Sequence, residues 1–418
     1  MSISVRASSG ATLLGAIALA SAPASATNGY YADGYGIKAE GEAGAGIAFP
    51  QDSLTIATNP AGLVAITDGI DAGLDVFLPR RETTLVQGGV AQTYDGNDTS
   101  TFYIPSVGYS HHLRPDVAVG IALYGNGGLN TDYASNPFSR FGATGSAGVD
   151  LQQAFLSPAI AYEIASGQTI GLALNVGYEK FKAKGIGLFA GFSSDPADVS
   201  DRGYDSAFGA GAHVGWIGHL NQYVALGATW QSKTYFEKFK KYAGLFADQG
   251  RFDAPSTYGV GAALTPTDAW TVALDWQQIE YSKVASVGNS IDSLFSGVPL
   301  GAANGPGFGW RDVSVVKLGV TFRANEQWTV RAGVSNGRQP VPASQTFFNI
   351  LAPGVVETHL TAGLSWRPSA ANEVSLSVLH APKKTVNGAG SIPAAFGGGE
   401  ANVSLEETSI GVSWSHRL

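Results

Sequence analysis

From about residue 69 to its end the chain alternates apolar residues with small or polar ones in short bursts. The clearest are Trp270, Val272, Leu274, Trp276; Trp328, Val330, Ala332, Val334; Leu360, Ala362, Leu364, Trp366; and Ile410, Val412, Trp414. Between them stand Asp275, Gln277, Arg331, Thr361, Ser365 and Ser413. A period of two is the strand period, because successive side chains point to opposite faces. A soluble sandwich would bury the apolar face against a second sheet. A membrane barrel shows it to lipid, sets aromatics at the interfaces and keeps the polar face inside.

The N-terminus favours the barrel. Arg6 is the only charge before Asp33, Ala11 to Ala22 is apolar or small, and Ala24-Ser25-Ala26 fits a cleavage site. Residues 1–26 therefore read as a secretory signal peptide, too short in its apolar run to span a membrane, with the mature chain starting near Thr27. No later window is apolar enough for a spanning helix. An exported chain of alternating strands must pair every backbone group in lipid, which leaves a closed barrel. The chain has no Cys, so no disulfide scaffold is available. A net charge of −8 argues against a nucleic-acid partner.

Fourteen strand-like segments are expected near 69–84, 99–112, 115–125, 148–164, 167–183, 204–219, 221–239, 252–264, 267–284, 308–323, 326–338, 354–367, 371–386 and 400–418. The connections alternate between short and long, as periplasmic turns and extracellular loops do, so both termini fall on the periplasmic side. The expected fold is thus all-β: a 14-stranded antiparallel transmembrane barrel over 69–418, with residues 27–68 as an N-terminal plug, or hatch, of short helices. Those residues do not alternate and carry too few large apolar side chains to fold alone. Helical turns are expected at 51–58, capped by Asp52, and at 60–66, capped by Asn59 with Pro60 at the first position. The inward face is rich in Gly: Gly73, Gly120, Gly177, Gly209, Gly211, Gly215, Gly227, Gly319, Gly333, Gly363 and Gly411. Such a wall lets a second backbone come close. The alternative is that Gly only relieves barrel curvature.

Several motifs in order resemble the FadL/TodX family of outer-membrane transporters of hydrophobic compounds. They are Gly44-Ala45-Gly46-Ile47-Ala48, the hatch motif Asn59-Pro60-Ala61, Gly128-Leu129-Asn130-Thr131-Asp132-Tyr133, Asn175-Val176-Gly177-Tyr178, Trp310-Arg311-Asp312 before Lys317-Leu318-Gly319, Trp328 to Gly333, and Pro340-Val341-Pro342. Leu418 departs from the aromatic that usually ends such barrels. The resemblance implies loop capture of a hydrophobic small molecule, hatch rearrangement and lateral release, with no energy source and no cofactor. It also implies a basic residue lining the inner pocket at Arg311, and a second basic stretch at Lys180 and Lys182.

The residues carry parts of this on their own. Leu129, Tyr133, Phe138 and Phe141 in the segment 126–147, with Leu188, Phe189 and Phe192 in 184–203, suggest an apolar capture surface. The alternative is that these loops only cap each other. Pro105 interrupts the second strand, and Gly125, Gly127 and Gly128 weaken the end of the third, so the wall is expected to be broken there. Parity puts Arg311 and Lys317 inward, as counter-charges for a carboxylate, which leans the substrate toward long-chain fatty acids over neutral aromatic hydrocarbons. Lys180 and Lys182 share the outward face of Leu172 and Val176, so either a bulge turns them in or they meet lipopolysaccharide phosphates. Gly333-Val334-Ser335-Asn336-Gly337 matches a lipase motif, but it ends a strand instead of turning into a helix, so no enzyme is expected. His111, His112 and His359 lack metal-ligand spacing. An open porin and a non-transporting surface receptor remain the rival readings. The barrel is expected to act as a monomer in the bacterial outer membrane.

Overall fold

The computed structural model describes residues 27–418; the expected leader lies outside the described residues. Fourteen long strands form one antiparallel barrel. They are β1 (Gly69–Gln87), β2 (Phe102–Arg114), β3 (Val117–Tyr133), β4 (Ala147–Ala165), β5 (Gln168–Lys184), β6 (Asp205–His219), β7 (Val224–Gln231), β8 (Thr257–Thr267), β9 (Trp270–Ile279), β10 (Val313–Arg323), β11 (Trp328–Gly337), β12 (Thr358–Trp366), β13 (Asn372–Val386) and β14 (Glu400–Arg417). Each pairs with its chain neighbour. β14 returns to β1 from Glu400↔Val86 to Arg417↔Gly69, so the barrel closes without a free edge.

The alternation is read correctly face by face. Trp270, Trp276, Trp328, Trp366 and Trp414 stand outward at 37–45 % exposed, with Leu274, Val330, Leu364 and Val412 beside them. Three local features differ from the sequence reading. The segment 85–98, expected as loop, folds a short strand Val90–Asp95 back onto β1. β3 runs on to Tyr133 because its glycines bulge the strand instead of ending it. Its register with β4 shifts between Gly125 and Gly127, which leaves Asn126 as the extra residue. β7 breaks after Gln231, and its continuation Tyr235–Phe236 pairs with β6 at Gly209 and Ala210.

Residues 27 to 66 fill the lumen. They form a small hairpin, Thr27–Asn28 with Tyr31–Ala32, and the helical turns Ile37–Glu40, Thr55–Thr58 and Pro60–Ala65. The Gly wall is shaped to them. A Cβ on Gly333 would lie 2.3 Å from the Glu42 carbonyl carbon, one on Gly227 2.4 Å from the Ile47 oxygen, and one on Gly411 2.3 Å from Ile37 Cδ1. Packing room, more than relief of curvature, explains these glycines. Gly177, Gly209 and Gly211 are the exceptions: they face Phe236 and Thr234 of the inturned β7 segment, not the hatch.

Inward polar residues fasten the plug. Asp275 accepts from the amides of Gly46 and Ile47 at 2.7 and 2.9 Å, and Asp71 accepts from the amide and hydroxyl of Ser53 at 2.9 and 2.5 Å. Arg331 donates to Gln51 at 2.8 Å, and Lys38 pairs with Glu373 at 2.9 Å. Glu42 is buried with one oxygen on Gln51 and the other unpartnered. Burial pushes its carboxyl up from 4.5 to about 8, against the pull of Arg331 and Gln51. From about pH 5 to pH 8 the folded hatch therefore keeps a proton that the unfolded chain has released. Its stability falls as pH rises through that window, by at most ~1.4 kcal/mol per pH unit. Glu42→Gln should remove this slope. Hydrogen exchange at residues 41–48, corrected for intrinsic rates, is the measurement; a slope equal to the parent's would contradict it.

Candidate functional site

Asn59-Pro60-Ala61 is the hatch's anchor. Asn59 is fully buried; its Nδ2 donates to the carbonyls of Ile47 (2.8 Å) and Trp216 (3.1 Å), and its Oδ1 accepts from the Ala61 amide (3.1 Å), capping the Pro60–Ala65 turn. Only a primary amide offers donors and an acceptor at once in this space. The space exists because Gly215 faces it: a Cβ there would lie 1.8 Å from Asn59 Oδ1.

Above the hatch, at the long-loop rim, aromatic rings from several loops meet. Phe138 lies 5.5 Å from Phe189 and 5.7 Å from Phe347; Phe141 lies 5.6 Å from Phe347; Phe192 lies 5.8 Å from Phe396. Phe141, Leu188 and Phe192 are half-buried, whereas Phe138 and Phe189 are buried. Leu129 and Tyr133 do not belong to this loop cluster: both lie on β3, and Tyr133 donates to the Ile350 carbonyl at 2.8 Å. Beneath the rings is a small apolar pocket lined by Phe181, Phe189, Leu245, Phe246, Leu300, Phe308 and Phe348, with Ser286 as the only polar side chain among its described lining residues. The Ser286 hydroxyl is already engaged, donating to the Arg251 carbonyl at 2.6 Å.

An aromatic train joins this cavity to the tip of the hatch. Phe246 lies 4.9 Å from Phe252 and Phe308 6.3 Å from Trp310; Phe252 and Trp310 then flank Tyr30 at 5.9 and 5.8 Å. Tyr281 receives the hatch hairpin, accepting from the Tyr30 amide at 3.0 Å and donating to the Asn28 carbonyl at 2.5 Å. On its far side the hairpin touches the β3 bulge: the Gly128 amide donates to the Tyr30 carbonyl at 3.1 Å, and Tyr31 pairs with Gly127. Gly127 has to be glycine there, since a Cβ would sit 1.9 Å from that carbonyl oxygen.

At this same bulge the wall is incomplete. The β2–β3 ladder stops at Val107↔Leu123, so Phe102 to Ser106, with Pro105 among them, have no ladder partner on β3. Tyr124 to Leu129 swing inward and are buried. The wall closes again above, where Asn97 bridges to Asp132. The result is a window between β2 and β3. Arg81, buried on β1, staples its upper edge by donating to Asn97 Oδ1 (3.2 Å), Asn130 Oδ1 (2.9 Å) and the Thr99 carbonyl (2.5 Å). A second, small cavity lined by Phe77, Arg81, Gly128, Leu129 and Glu407 backs onto it.

The basic residues singled out from sequence are not brought together. Arg311 is exposed and not enclosed in a pocket: it precedes the first residue of β10, so the pleat does not set its direction. The buried member of that motif is Trp310, whose indole donates to Asn349 Oδ1 at 2.5 Å. Lys317 is inward as expected, but its ammonium is held by the Asp33 carbonyl of the hatch at 2.5 Å. Lys180 and Lys182 stay on the outward face, their ammoniums 4.5 and 4.7 Å from the centre of the Tyr204 ring. The lipase-like Ser335 is fully buried under the hatch, on a strand paired on both sides, and donates to Asp33 at 2.8 Å. Arg81, Tyr30, Tyr281 and Phe347 belong to the site without a motif that marks them in the sequence. The parity of Arg81 with Gly73 was a usable signal; for the others nothing local was.

Comparison with known proteins agrees with this geometry. Residues 17–411 match the family described as outer membrane protein transport protein (OMPP1/FadL/TodX). A long-chain fatty acid transport protein of Escherichia coli O6:H1 is 24 % identical over 84 % of this chain and 86 % of its own length. One from Salmonella typhi is 23 % identical over 70 % of this chain and 73 % of its own. Among solved structures, the P. putida toluene transporter TodX superposes with a TM-score of 0.67 at 16 % identity, covering 92 % of this chain and 99 % of that one. A Pseudomonas aeruginosa FadL homologue gives 0.68 at 14 % identity, covering 93 % and 99 %. The chain therefore belongs to the FadL/TodX family of outer-membrane transport proteins, whose members are channels for hydrophobic compounds and not enzymes.

Proposed function

We propose that this barrel passes neutral, apolar compounds: capture among the loop phenylalanines, transfer to the apolar cavity beneath them, and release through the β2–β3 window when Tyr30 and Tyr31 move aside. The cavity carries the reading. Its wall offers one engaged hydroxyl and no cation, so a carboxylate would lose its hydration without a partner. The exposure of Arg311 supports a neutral cargo over a fatty acid, and toluene is what the structural relatives TodX and TbuX are named for. The fatty-acid reading keeps one support, the names of the two curated relatives. Vesicles with a lipopolysaccharide outer leaflet, whose polar sugars slow apolar solutes, should take up a neutral monoaromatic hydrocarbon at least about tenfold faster with the protein than without it, and Arg311→Ala should match the parent. Rates equal to those of empty vesicles would refute the route.

The barrel is proposed to work as a monomer with both termini at the short-turn, periplasmic side. Lys180, Lys182 and Lys184 alternate outward at the long-loop end of β5, beside a depression left by the inward swing of β3. Lys184 pairs with Asp132 at 2.7 Å, while the other two have no carboxylate within 4.0 Å among the described residues. This is the proposed contact for lipopolysaccharide phosphates. Lys180→Gln with Lys182→Gln should lower the lipopolysaccharide that co-purifies, read by native mass spectrometry; parent levels would contradict the assignment.

A further inference from the structure

We infer that the Ala26–Thr27 bond is a proteolytic maturation site and that the α-ammonium it releases is captured by Glu407 in the barrel wall. Two independent observations meet here. The sequence places the small-residue motif Ala24-Ser25-Ala26 directly before Thr27. The structure holds the Thr27 nitrogen 2.8 Å from Glu407 Oε2 and its hydroxyl 2.9 Å from Oε1, with both residues buried. The very first hatch residue is thus tied by both polar groups to the last strand.

The surroundings lack a cation for that carboxylate. Among the described residues the one chargeable side chain within 4.0 Å is His359, whose Nε2 stands 3.8 Å away without a hydrogen-bond partner. His359 faces a second buried carboxylate, Asp33, through Nδ1 at 3.7 Å. Lys317 is occupied by the Asp33 carbonyl, and Arg81, across the second cavity, by Asn97, Asn130 and Thr99. A buried carboxylate served only by an amide and a hydroxyl is costly. Cleavage changes this. A leader peptidase of the export route adds water across the Ala26–Thr27 amide, leaving a carboxylate on Ala26 and an amine on Thr27. The amine takes up a proton at neutral pH, since α-amino groups titrate near ~8. The neutral amide donor becomes a charge-assisted one in the same place. The hatch tip, which stands between cavity and window, is then locked only in the processed chain.

The mature protein should begin at Thr27 by intact mass, and any other first residue overturns the assignment. Hydrogen exchange at residues 28–33 is the second readout. Glu407→Gln should raise it at least about tenfold, as should insertion of Gly-Ser between Ala26 and Thr27, and the two changes together should do no more than either alone. Heat-modifiable migration on gels checks that the barrel has closed. If Glu407→Gln fails that check, the insertion decides, because it leaves Glu407 intact. Parent-like protection in the insertion variant, or full additivity of the two changes, would refute the capture.

Discussion

Gly215→Leu should unseat the hatch while the barrel still closes. The new Cβ falls 1.8 Å from Asn59 Oδ1, and the nearest atoms behind it are Asn59 Cγ and Pro60 Cδ, so the anchor itself must move. Overpacking alone costs about 1–3 kcal/mol. Displacement also strips the buried Ile47 carbonyl of its amide donor, at about 1–3 kcal/mol for a group left unpaired, and removes the bond to the part-buried Trp216 carbonyl. The strand ladders on either side of Gly215, to Gly171 and Thr229, do not depend on the hatch. Planar-bilayer conductance should rise at least about tenfold over the parent, with heat-modifiability kept. Asn59→Ala, which removes the bonds without the clash, should fall between the two. Parent-level conductance in Gly215→Leu would mean that the hatch does not seal the lumen.

The second large effect concerns selectivity. Leu245 lines the apolar cavity but is only half-buried, so a lysine there can keep its ammonium toward water while its stem stays in the wall. Leu245→Lys should weaken a neutral hydrocarbon at least about tenfold and strengthen a carboxylate by a similar factor, each about 1.4 kcal/mol. Equilibrium binding of both ligand classes to parent and variant reads this out. If the neutral ligand were unaffected, the cavity would not be its binding site.

Much of the fold was legible because a strand's side-chain period is fixed by its backbone. The tryptophans facing lipid, the glycines facing the plug and the Asn59 cap all follow from parity or from capping chemistry. The failures share one physical cause: parity holds only within a paired strand. Arg311 lies outside β10, so its inward assignment had no footing. Gly125, Gly127 and Gly128 were read as weakening β3, and they do interrupt its ladder, yet a sequence does not say that a bulge will swing the next residues inward. The aromatic train from Phe246 to Tyr30 joins residues far apart in the chain, and no local pattern announces it. Of the candidate site, the Asn59 cap and the glycines of the β3 bulge carry a local sequence signal, while the parts that these residues and the loop phenylalanines play in transport are proposals. The absence of a cation from the described cavity lining, on which the proposed class of cargo rests, is legible only in the packed structure.

The most direct test compares two ligands that share a chain and differ at the headgroup, one neutral and one charged: a long-chain primary alcohol and the carboxylate of the same chain length, each titrated at pH 8 into the purified protein freed of bound lipid. A cavity without a cation should bind the alcohol more tightly, by at least about tenfold. Tighter binding of the carboxylate would contradict the neutral-cargo assignment and return the fatty acid as substrate.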